Sequence, residues 1–117
     1  MQSGRIHEFD SEKLAVAPDE DERTSHRVYG RALAAFVANR LRAEEVIPKP
    51  FGWCVLIERE PFPLWIACSN VDGGTTRWSA RVIAEPSLLQ GTFGRAEVDA
   101  AIERCDAQLA EALEHLP

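Results

Sequence analysis

FPLWIACSNVDGGTTRWSARVIAEP, residues 62–86, sets two apolar runs on either side of a glycine pair. Its first half, LWIACSNV at 64–71, is apolar on both faces where it begins, as a strand in the middle of a sheet is. DGG at 72–74 then supplies residues that tolerate positive φ, which a hairpin turn needs. TTRWSARVIA at 75–84 alternates, with Trp78, Ala80 and Val82 pointing one way and Arg77, Ser79 and Arg81 the other. The stretch predicts a β-hairpin with one buried face.

Before it, GWCVLIERE at 52–60 predicts a third strand, with Trp53, Val55 and Ile57 on the apolar side and Cys54, Leu56, Glu58 and Glu60 on the other. SHRVYGRALAAFVANRLRAEE at 25–45 places Tyr29, Leu33, Phe36, Val37 and Leu41 at helical spacing, and the IPKP that follows ends the helix. RAEVDAAIERCDAQLAEALEHL at 95–116 carries Val98, Ile102, Cys105, Leu109, Leu113 and Leu116 in steps of three and four. A helix of that length spans roughly 30 Å, enough to cross a small sheet. EPSLLQGTFG at 85–94 reads as a loop, with Thr92 or Gly94 starting the helix.

The expected fold is therefore α+β: helix, three antiparallel strands and a long C-terminal helix, with both helices on one sheet face. Trp53, Val55, Ile57, Trp78, Ala80 and Val82 would form the covered face. Arg77, Ser79, Arg81, Glu58 and Glu60 would remain on the open one, joined by whichever of Leu64, Trp65 and Ile66 points there. Residues 1–23 lack periodicity and end in APDEDER, so they read as a flexible acidic arm, leaving 24–117 as a single domain. The chain has 117 residues, the size of one domain.

Composition narrows the functions. The net charge of −6 is uneven: residues 1–25 carry −4, 26–50 carry +3, 51–86 carry −1 and 87–117 carry −4. An acidic chain repels the phosphate backbone, and Arg27, Arg31, Arg40, Arg42 and Lys49 do not share one helix face, so nucleic acid is not an expected partner. No apolar run approaches the roughly 20 residues of a membrane helix, and MQSGRIHEFDSEKLAV lacks the apolar core of a secretory signal. A cytoplasmic protein without membrane contact is expected. Three cysteines without a CxxC pair fit a reducing compartment and read as small buried hydrophobes.

No catalytic motif emerges. His7, His26 and His115 have no metal-ligand spacing. Cys68 and Ser69 have no visible base and read as strand packing and a turn hydroxyl. DGG lacks the Lys-Ser or Lys-Thr of a phosphate loop, and GTFG at 91–94 is opposed as an anion site by Glu97 and Asp99. No metal or cofactor is expected. Trp65 lies in a strand apolar on both sides and has two readings: exposed beside Arg77 and Arg81 it would make an interface anchor, because Trp and Arg dominate interface energetics, and otherwise it belongs to the buried core. The acids of the last helix, Glu103, Asp106 and Glu111 among them, could present a negative surface to a basic partner.

FGWCVLI, PLWIACSN, the DGG turn, RWSARV and the acidic terminal helix together resemble the small, acidic, cytosolic α+β immunity proteins that bacteria encode beside secreted toxins. That resemblance implies a protein without catalytic activity that binds its toxin and occludes an active site or substrate groove. It supplies no functional residues by position. The reading that follows is a protein-binding module whose interface comprises Trp65, Arg77, Arg81 and Glu58, with Glu103, Asp106 and Glu111 as a second surface. Small acidic chaperones of secreted effectors also combine helices with a curved sheet, although three strands are fewer than they use. An enzyme or small-molecule binder ranks third, and a second copy of the chain is a further candidate partner.

Overall fold

A computed structural model describes residues 2–85 and 94–117. It has six strands, β1 (Gln2–Ser3), β2 (His7–Asp10), β3 (Glu45–Lys49), β4 (Gly52–Glu58), β5 (Leu64–Asn70) and β6 (Arg77–Ala84), and two α-helices, α1 (Arg31–Leu41) and α2 (Arg95–Leu113). All strand pairs are antiparallel: β3, β4, β5 and β6 run in order across one sheet, and β1 and β2 both add to the far side of β6. The protein is α+β, but the expected three strands are six.

The three additional strands come from stretches with little pattern of their own. β1 and β2 lie in the segment read as an acidic arm. They are two and four residues long, too short to show a period, and their ladder is dictated by β6. His7 pairs with Ala80 and Phe9 with Trp78, which turns His7 and Phe9 toward the helices. Ser11 N–H donates to the Thr76 carbonyl and Trp78 Nε1 to the Ser11 carbonyl, so the segment is held to β6 at its end as well. β3 contains the IPK that reads as a helix stop. A proline is tolerated there because β3 is the sheet edge.

Helix α1 is shorter than the expected 25–45. It begins after Gly30, whose φ of +151° is outside the helical region. It closes at Arg42, in the left-handed conformation, with Ala43 N–H reaching back to the Ala38 carbonyl. Gly30 has no side chain to cap the helix. Glu20, remote in sequence and 5% exposed, does so: its Oε2 accepts from Gly30 N–H at 2.8 Å and Arg31 N–H at 3.0 Å. The acid-rich APDEDE segment thus folds back onto α1, placing a carboxylate where the helix dipole favours one.

Both helices cover one face, as expected. Leu33, Ala34, Val37 and Ala38 of α1 and Val98, Ala101, Ile102, Cys105 and Leu109 of α2 meet Trp53, Val55, Leu64, Ile66, Cys68, Trp78, Ala80, Val82 and Ala84 in one core. Asn70 locks the β5–β6 hairpin to the chain entering α1. Its Oδ1 accepts from Tyr29 N–H, and its Nδ2 donates to the Arg27 and Gly74 carbonyls. The turn itself uses Asp72 and Gly73 at φ +54° and +72°, the conformation that DGG predicts. The loop read at 85–94 lies almost entirely outside the described residues, as does Thr92.

Candidate functional site

The register defines the helix-free face in rows across the strands. Glu45, Leu56, Trp65 and Ile83 form one row, and Ile47, Cys54, Ala67 and Arg81 the next. Ser69, Ser79 and Glu8 follow, beside Gly52, then Arg77 opposite Asp10. The centre is apolar: Cys54, Ala67 and Ile83 are buried there, with Ile47 and Trp65 packed over them. Trp65 is half-buried, and its Nε1 is buried without a partner.

The sequence-selected residues do not come together in one place. Trp65 and Arg81 stand in adjacent rows of this face. Arg77 shares the face but lies at its far end, where its guanidinium meets Asp10 at 3.0 Å and Glu8 at 3.8 Å. Glu58 does not belong to the face. An irregularity between Leu56 and Glu58 shifts the register, so that Glu58 pairs with the inward-facing Leu64 and its carboxylate receives Arg104 of α2 at 2.9 and 3.1 Å. Strict alternation assigns Glu58 to the open side, and the bulge overrides it.

The acids of α2 likewise do not form one continuous surface. Asp106 accepts from His7 at 2.7 Å and also meets Arg5, which fastens the β1–β2 segment to the helix. Glu111 meets Arg40 of α1 and His115. Glu103 is exposed.

Ile6 and Phe51 are what sequence reasoning missed. They are the large apolar side chains left exposed among the described residues, at 58% and 43%. Both flank one depression of the helix-free face, about 210 Å³ in volume, lined also by Ala67, Ser69, Asn70, Ser79 and Arg81. Phe51 had a local signal: with Pro50 it forms the two-residue turn between paired Lys49 and Gly52, where a side chain projects from the sheet. Ile6 had none, because its position depends on β1 and β2 both pairing with β6.

Chemistry elsewhere is quiet. Cys54, Cys68 and Cys105 are buried free thiols. Burial, partly offset at Cys54 by Lys49, pushes Cys54 up to about 11, and burial pushes Cys105 up to about 12, both from an ordinary 9.0. Burial raises Cys68 as well. Such thiols are poor nucleophiles near neutral pH. Among the described residues no group of three or more His, Cys, Asp or Glu side chains could hold a metal ion, and no helix is long and apolar enough to cross a membrane. Arg23 and Arg31 stack over the Trp53 ring at 5.7 and 5.5 Å, a contact that secures the entry to α1.

Fold and face together define a two-layer α+β protein whose helices cover one side of an antiparallel sheet and leave an aromatic, cation-bearing surface on the other. No family model, curated protein or solved structure matches the chain.

Proposed function

We propose that this is a non-enzymatic binding module acting through the helix-free face of its sheet, and that it serves as an immunity protein holding a bacterial toxin in an inactive complex. The observation that supports binding is the convergence of Ile6 and Phe51 on the face that carries Trp65 and Arg81. Each Å² of apolar surface left in water forgoes about 25 cal/mol, which a partner covering it would recover. Trp and Arg beside such a patch are the side chains that most often anchor a complex. The toxin as partner rests on the size, acidity and element order by which the chain resembles immunity proteins.

The chaperone of a secreted effector is the second reading. It draws support from the six strands, because a shortage of strands was the argument against it.

The test is co-expression with each toxin-domain gene that sequencing of the flanking DNA finds. The chain is expected to restore host growth and to purify with one toxin at equal stoichiometry. Trp65→Ala combined with Arg81→Glu, folded by circular dichroism, is expected to abolish both. Rescue that survives the double substitution moves the interface off this face. Absence of rescue and complex with every neighbouring toxin overturns the immunity reading, and a complex that keeps an effector secretable without blocking it selects the chaperone.

A further inference from the structure

The depression between Ile6 and Phe51 supports a finer assignment, which rests on the helix-free face being the binding surface. Its polar groups are unequally engaged. Ser69 Oγ donates to the Asn70 carbonyl at 3.1 Å, and the Asn70 side chain is used by Tyr29, Arg27 and Gly74. The Ser79 hydroxyl and the Arg81 guanidinium have no partner among the described residues.

Arg81 is unusual in this molecule. It is the half-buried arginine, while the others among the described residues are exposed. Most of those nevertheless hold an acid or an aromatic ring: Arg5, Arg40, Arg59, Arg77, Arg95 and Arg104 pair with carboxylates, and Arg23 and Arg31 with Trp53. The nearby acids are committed elsewhere, Glu8 and Asp10 to Arg77 and Glu45 to Arg59. Glu85, exposed at the end of β6, forms no bridge to Arg81. A chain of net charge −6 therefore keeps Arg81 and Lys49 on one face without an ion-pair partner among the described residues.

Arg81 is half-buried as a residue and its guanidinium has no ion-pair partner among the described residues, and the planar fork of donors it offers matches a carboxylate. The apolar walls, Ile6 and Phe51, favour aliphatic carbon next to that carboxylate. We propose that the depression receives a glutamate side chain of the partner protein, its methylenes between Ile6 and Phe51 and its carboxylate held by Arg81 with the Ser79 hydroxyl donating.

The test is an NMR titration of the full chain with N-acetyl-glutamate methylamide against its neutral isostere, N-acetyl-glutamine methylamide. Saturable shifts are expected at Ala67, Ser69, Ser79 and Arg81 Nε, with a dissociation constant on the order of 10 mM for so small a ligand. The glutamine compound is expected to bind at least about fivefold more weakly, as loss of a charge-assisted pair implies. Arg81→Gln should erase that preference, and Arg27→Gln, at an exposed arginine outside the depression, should retain it. Equal binding of the two compounds, no saturation, or shifts mapping elsewhere overturns the glutamate site. Growth rescue lost in Trp65→Ala but kept in Arg81→Gln would likewise sink it while leaving the face itself as the interface.

Discussion

Gly30 and Gly52 meet the same atom. A Cβ on either would lie 2.4 Å from the Cys68 carbonyl oxygen, and their φ values of +151° and +152° are ones that side chains resist. The backbone of β5 cannot retreat, because Cys68 is paired with Trp53 on one side and Ala80 on the other. Gly30→Ala and Gly52→Ala are each expected to cost more than about 2 kcal/mol in urea unfolding. Gly74→Ala is the control: its Cβ would meet only the Val71 carbonyl oxygen, at 3.6 Å, so a change within about 0.5 kcal/mol is expected. The cysteines give a pH prediction whose sign follows from their raised values. Unfolded thiols release protons near 9.0, whereas folded Cys54 and Cys105 hold theirs to about 11 and about 12. The thiols therefore leave stability untouched well below 9.0 and reduce it as pH climbs from there toward 11. Urea midpoints compared with those of a variant carrying alanine at all three cysteines should isolate this loss above pH 9.0. Midpoints that fall equally in both chains would remove the thiols as its cause.

Among the elements, β2 depends on contacts with groups distant in sequence. Trp78 holds the far end of the segment through its Nε1–H bond to the Ser11 carbonyl at 3.0 Å, while its ring is fully buried. Trp78→Phe deletes the bond and leaves a void where the larger ring packs, so a cost above about 1 kcal/mol is expected. Hydrogen exchange should accelerate at the amides of 7–11 and stay unchanged in β5. Equal acceleration across the sheet would mean that the substitution acts through core packing instead. The opposite edge is protected by composition: Pro48 in β3 has no N–H to offer a further strand. Helix α2 was legible because nineteen residues give five turns of a repeating stripe, and Val98, Ile102, Cys105 and Leu109 are all buried as the stripe requires. Helix α1 was legible in its centre and not at its start, because its cap comes from Glu20, ten residues before Gly30.

For the whole molecule, Gln2–Ser3 and His7–Asp10 of the segment read as an arm are part of the sheet. Removing residues 1–11 would strip β6 of its outer neighbour, take Phe9 out of the core and leave Asp106 without His7 and Arg5. An unpaired central-type strand is a template for association. The truncated chain is expected to unfold at lower urea and to form oligomers in light scattering. A monomer with an unchanged midpoint would show that the segment is dispensable.

The residues alone determined the parts that repeat: the alternation of 77–84, the apolar strand at 64–70, the DGG turn and the long helix, because a local period reports which side is buried. Tertiary structure decided the remainder. Short strands take their pairing from β6, the bulge moves Glu58 to the helix side, and Ile6 and Phe51 become neighbours only after the sheet is complete. Each of those outcomes depends on hydrogen bonds and packing between residues far apart in the chain, which no local pattern records.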